Sequence, residues 1–165
     1  MSAIEQAILT WIHLVSAAIW VGGSLFIGIV FSPLLKTMSS SIEERIQIMI
    51  RVGRRFNKIA VPSLIILIAT GLYSSYALLS KPYLLVGTSY GTFLIIKIIL
   101  VIALIVTYVI HVRVIRKDIE IKIMSNQMLE PEIQKLRKKI IILGEITVVL
   151  SIAILFFASL LDAGV

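Results

Sequence analysis

A chain of 165 residues that is 59% hydrophobic, with a mean hydropathy of +1.04, exceeds the roughly 45–50% apolar share of soluble domains and reads as an integral membrane protein. Its net charge of +7 is concentrated in two connections between apolar runs, which points to topology and anionic lipid rather than to nucleic acid. The absence of cysteine excludes disulfides, iron–sulfur clusters and thiolate metal sites.

Four segments reach the roughly 20 residues that a helix needs to cross about 30 Å of hydrocarbon. They cover about 8–32, 59–79, 92–112 and 140–161. One all-α membrane domain over 1–165, a four-transmembrane-helix bundle with an amphipathic cytoplasmic connection and cytoplasmic helix extensions, is the expectation.

The first segment is too long, and too poor in preceding positive charge, for a secretory signal, so it is expected to stay in place. Its stretch TWIHLVSAAIWVGG, residues 10–23, sets a histidine in an apolar helix. An imidazole in hydrocarbon needs a partner, so His13 is expected to face a protein interior, a cofactor or a wet cavity. His13, Ser16, Ala17, Trp20 and Ser24 follow one helical face, and the small residues with Gly22 and Gly23 leave room for a neighbouring helix or a flat cofactor.

In the first connection Ser41 and Glu44 have capping-box spacing, and Ile42, Ile46, Met49 and Phe56 then recur near a helical period with arginines between them. An amphipathic helix on the inner membrane surface, leading into the second span, follows. The second connection, SKPYLLVGTSYG, has Pro82, Gly87 and Gly91 as turn punctuation, with Tyr83 and Tyr90 suited to the interface.

The third span carries Lys97, Val101, Leu104, Tyr108 and His111 on one stripe. Ile115, Ile119 and Ile123 extend that span beyond the membrane until Ser125-Asn126-Gln127 breaks the pattern. Pro131 suits the first turn of the last helix, and Glu130 and Glu132 suit its positive end.

Lys36, Arg45, Arg51, Arg54, Arg55 and Lys58 lie in the first connection, and Arg113, Arg116, Lys117, Lys122, Lys135, Arg137, Lys138 and Lys139 in the third. The second connection has only Lys81, and the termini have no Lys or Arg. The positive-inside rule then sets both basic connections in the cytoplasm and both termini outside the cell membrane.

At a rise of about 1.5 Å per residue, these directions turn position into depth. His13 and Lys97 fall at one level in the outer half, and His111 with Glu145 forms a second polar layer near the inner ends. A bis-histidine haem fails on this geometry, because His13 and His111 lie most of a bilayer apart. A six-coordinate haem would need His13 with another ligand such as Lys97, or His111 with a different partner. Trp20 and Tyr108, on the same two stripes, are the aromatic candidates for cofactor contact. Met38, Met49, Met124 and Met128 all fall in the basic connections, so no outer methionine cluster exists to capture copper.

The runs RRFNKIAVPSLIILIATGLY and LLVGTSYGTFLIIKIILVIALI resemble the membrane domain of the copper-resistance protein D (CopD) family, through its R-F…TGL and T-x-Y-G…L-x-x-K-x-x-L segments. WIHLVSAAIWVGG is similar to that family's H-x(6)-W-x-G-G pattern. More distantly the chain resembles HemJ-type protoporphyrinogen oxidases, in which a first-helix histidine and a third-helix lysine are associated with haem b. The resemblance implies those roles for His13 and Lys97. The pattern departs at Gly144-Glu145, where that family has Asn-Glu, and at Phe31-Ser32-Pro33, where a first-helix arginine is absent.

The leading expectation is therefore a CopD-like membrane protein that binds haem b and transfers electrons through a His13/Lys97 layer. Three readings compete with it: a copper import or resistance component, a quinone-coupled oxidoreductase acting on a porphyrinogen, and a non-catalytic subunit of a larger membrane complex. Candidate partners are anionic lipid, a quinone or other redox partner, and a second copy of the chain.

Overall fold

Ser2 opens the first helix with a reciprocal cap: its hydroxyl accepts from the Glu5 N–H at 3.2 Å, and the Glu5 carboxylate accepts from the Ser2 N–H at 2.9 Å. The structure is a computed structural model that describes residues 2–39, 41–115, 121–123, 125 and 129–164. Among these residues the regular structure is helical, with no strand. Four helices are long and apolar enough to cross a membrane: α1 (Ala3–Met38), α2 (Ile42–Leu79), α4 (Ser89–Val114) and α5 (Glu130–Asp162). A short α3 (Pro82–Gly87) joins α2 to α4.

The helix starts follow the sequence signals. Thr88 caps α4 by accepting from the Gly91 N–H at 3.0 Å. Pro131 occupies the first turn of α5, with Glu130 and Glu132 beside it. Ser41 accepts from the Glu44 N–H at 3.4 Å, but the Glu44 carboxylate turns back to the Ser39 hydroxyl instead of closing a box on Ser41. Pro82, expected as turn punctuation, starts α3, because a proline is tolerated where the N–H has no helical acceptor.

The amphipathic connection is the first half of α2, continuous with the span. Its apolar face lies against protein: Ile46 and Ile50 pack with Ile123, Ile133, Leu136 and Ile140, next to Val114 and Ile115. Ile50 and Ile123 are each 1% exposed. This cluster ties both basic connections into one floor beneath the bundle. Ile119, Arg116, Lys117, Met124, Asn126, Gln127 and Met128, which the sequence reading assigned to the third connection, lie outside the described residues.

The spans form two antiparallel pairs, α1 on α2 and α4 on α5, while α2 and α4 hardly touch. A second cluster joins the pairs at mid-depth through Trp20, Val21, Ala60, Leu64 and Leu104. Trp20 is its keystone. Its indole Nε1–H donates to the Ser151 hydroxyl at 3.1 Å, and its ring meets Tyr108 edge-on with centroids 5.0 Å apart. Gly23 lets α1 approach α2 here, since a Cβ at that position would overlap the Phe56 ring. Two π-wound turns, Ala18–Gly22 and Phe26–Phe31, lie where α1 crosses this region. Turns of this type widen a helix and are frequent at functional sites.

Candidate functional site

The two polar layers read from the sequence lie at opposite ends of the bundle, and each histidine rests on a glycine of the partner helix. A Cβ built on Gly71 of α2 would sit 3.6 Å from His13 Cε1, and one on Gly144 of α5 would sit 3.6 Å from His111 Cε1. Lys97 and His111 share α4 at a separation of 14 residues, about 21 Å along the axis.

In the layer near the termini, His13 Nδ1 lies 2.6 Å from the Thr70 hydroxyl oxygen. That oxygen also lies 2.7 Å from the Ile66 carbonyl oxygen. Each contact needs one hydrogen between its atoms, and the hydroxyl has only one. The Thr70 O–H therefore donates to Ile66, and His13 Nδ1–H donates to Thr70. In the neutral ring this leaves Nε2 as the nitrogen with the lone pair. Lys97 stands close enough for its charge to act on the same ring. His13 and Lys97 are both half-buried, and Thr70 is buried. Depth along the spans identifies the first two from sequence. Thr70 carries no such signal beyond a hydroxyl within the TGL segment.

The other layer borders a cavity of about 470 Å³ between the two helix pairs, walled in part by Trp20, Ser24, Asn57, Tyr108, His111 and Glu145. Trp20 and Tyr108, expected to contact a cofactor, both line this cavity and stand deeper in the bundle than His13 and Lys97. The reason is axial: Trp20 is seven residues beyond His13, and Tyr108 eleven beyond Lys97, so sharing a stripe separates them by about 10 and 16 Å in depth. His111 and Glu145 do border one space. Glu145 is exposed and His111 is half-buried. Met49, assigned by sequence to the basic connection, reaches the same cavity.

The donor set limits which metals fit. Among the described residues no group of three or more His, Cys, Asp or Glu side chains could hold a metal ion. Among the described residues, Met38 is 68% exposed and Met49 faces the cavity, so neither of these methionines brings a sulfur to His13. A soft multi-sulfur copper site does not fit these residues. A metal held by few protein nitrogens does, because His13 has an oriented Nε2 and its other nitrogen meets the Thr70 hydroxyl, the usual support of a metal-bound imidazole.

The family model of copper resistance protein D matches residues 50–161. That is more than half of the chain. This protein belongs to the copper resistance protein D family, and with its four apolar helices it is a multi-pass membrane protein. The matched region contains Thr70, Lys97, Tyr108, His111 and Glu145, whereas His13 and Trp20 precede it. No curated protein and no solved structure matches the chain.

Proposed function

We propose that this CopD-family protein carries a redox-active metal centre in the layer near its termini, which His13 through Nε2 and Lys97 through its amine would hold. The observation that carries this reading is the proton count at Thr70, which makes His13 the Nδ1–H tautomer. Haem b iron is the centre best suited to such a pair, since the macrocycle would supply four nitrogens and the chain would need to add only these two. When bound, that group supplies one-electron transfer. The chain orients the imidazole through Thr70, and the lysine must give up its proton before it can ligate.

The test is the reduced-minus-oxidised spectrum of detergent-purified protein expressed with haem supplied. Sharp reduced bands that vanish in His13→Ala, and that change to a five-coordinate or water-ligated form in Lys97→Ala, support the reading. A colourless wild type overturns it. Family membership favours a second reading, a copper-handling membrane component, in which His13 offers copper one transient nitrogen. That reading expects a colourless protein whose retained copper falls in His13→Ala.

A further inference from the structure

The cavity of about 470 Å³ between the helix pairs carries charged groups that the His13 layer does not use. Ile50 of α2 and Ile140 of α5 belong to the floor of isoleucines, and Val114 of α4 packs against it. Arg54 stands four residues beyond Ile50, Glu145 five beyond Ile140 and His111 three before Val114, so all three lie about 4–8 Å past the floor. Three helices thus bring a guanidinium, a carboxylate and an imidazole to one level. All three side chains border the same space.

Two of these groups lack partners. Among the described residues neither the Glu145 carboxylate nor the His111 ring makes a hydrogen bond or ion pair, and the His111 nitrogens are not sealed off as the Tyr108 hydroxyl is. A carboxylate within a membrane-spanning bundle costs free energy until it is paired. A cation that donates several hydrogen bonds suits this end of the space, because the carboxylate accepts more than one and a neutral imidazole offers a further lone pair. Arg54 suits the opposite charge. Its guanidinium has five N–H groups, enough to hold an anion in addition to its contact within the protein. A ligand of single charge would be attracted by one of these groups and repelled by the other, whereas a zwitterion is matched by both.

The rest of the wall is apolar and open to the bilayer. Ile29 of α1 and Val149 of α5 line the cavity, yet they are 67% and 64% exposed, so the space opens sideways where these two helices meet. From Glu145 the wall leads toward the middle of the bundle, since Trp20 bonds to Ser151, six residues or about 9 Å further along α5. A hydrocarbon chain fits that stretch. Lys138 and Lys139 flank the floor at Ile140, and lysines at a span's end mark the headgroup level. We infer that the cavity binds a phospholipid with a zwitterionic, primary-amine headgroup, the chemistry of phosphatidylethanolamine. Its ammonium lies by Glu145 and His111, its phosphate by Arg54, and an acyl chain runs along the wall toward Trp20. Attraction of anionic lipid to the basic connections is a separate effect that needs no cavity.

The test uses intrinsic fluorescence. The chain has two tryptophans, so Trp11→Phe leaves Trp20, in the cavity wall, as the sole reporter. This protein is reconstituted in phosphatidylcholine vesicles that carry a small, varied fraction of one lipid brominated on its acyl chains, because bromine quenches a nearby indole. Brominated phosphatidylethanolamine should quench Trp20 saturably, with a half-maximum at a mole fraction roughly three- to tenfold below that of brominated phosphatidylcholine, whose quaternary ammonium cannot donate a hydrogen bond. Brominated phosphatidylglycerol, which has the phosphate but no amine, should also fall short of it. Glu145→Gln should bring phosphatidylethanolamine down to the phosphatidylcholine level. O-Phosphoethanolamine in the buffer, the headgroup without its chains, should leave the quenching unchanged. Equal quenching by the ethanolamine and choline lipids, a preference unaltered in Glu145→Gln, stronger quenching by phosphatidylglycerol, or displacement by O-phosphoethanolamine overturns the proposal.

Discussion

The His13 imidazole donates through Nδ1 to the Thr70 hydroxyl at 2.6 Å, across a gap of 57 residues in sequence. The same hydroxyl donates onward to the Ile66 carbonyl, so the orientation of the ring is set by the backbone of α2. Thr70→Val retains the shape and removes the acceptor. It should cost about 1–3 kcal/mol through the stranded Nδ1–H, and it should lower affinity for any metal at His13 by roughly 10- to 100-fold. Thr70→Ser should recover most of both losses. Chemical unfolding in detergent and a metal titration measure the two effects separately, and equal behaviour of the Val and Ser variants would refute the orienting role.

Two glycines that look alike in the sequence should respond with opposite signs. A methyl on Gly23 would enter the Phe56 ring, while a methyl on Gly53 meets nothing within 4 Å. Gly23→Ala should destabilise by about 1–3 kcal/mol through overpacking, and a second change, Phe56→Leu, should relieve part of that. Gly53→Ala should stabilise by up to about 1 kcal/mol from helix propensity alone. Midpoints of unfolding for the two single variants, measured side by side, check the contrast.

The Trp20–Ser151 bond joins α1 to α5 in a buried setting. Ser151→Ala should cost about 1–3 kcal/mol, because the indole N–H stays buried without its acceptor. In a Trp20→Phe background the same serine change should cost much less, since the donor is already gone. The coupling in this double-mutant cycle is the quantity to measure, and additive losses would show that the bond contributes nothing beyond packing.

Charge placement leads to a prediction about orientation. With fourteen of the sixteen Lys and Arg residues in the first and third connections, the end of the bundle bearing the termini should face away from the cytoplasm. Single cysteines near Thr88 and Asp162 should react with an impermeant reagent in intact cells, and cysteines near Arg54 and Lys138 should react only after permeabilisation. The reverse labelling pattern would invert the bundle.

Length and hydropathy determine by themselves that there are four spans, because a helix must reach across the hydrocarbon and satisfy its own backbone. Residue counting along those spans also determines depth, since the rise per residue is constant. It separates the His13/Lys97 level from the His111/Glu145 level before any contact is known. Local chemistry sets the starts at Thr88 and Pro131, where the partners lie within three residues.

Which helices pair, and how each turns about its axis, is decided only in the tertiary structure. Those choices depend on complementary shapes from segments far apart in sequence: Gly23 against Phe56, Gly71 beneath His13, Gly144 beneath His111. A stripe on a helix wheel holds Trp20 in line with His13 and Tyr108 in line with Lys97. Only the packing of the two pairs makes both aromatic residues walls of one cavity. The apolar face of the first connection likewise has one periodicity whether it meets lipid or protein. Burial of Ile46 and Ile50 against Ile133, Leu136 and Ile140 selects protein, because the first and third connections meet beneath the bundle.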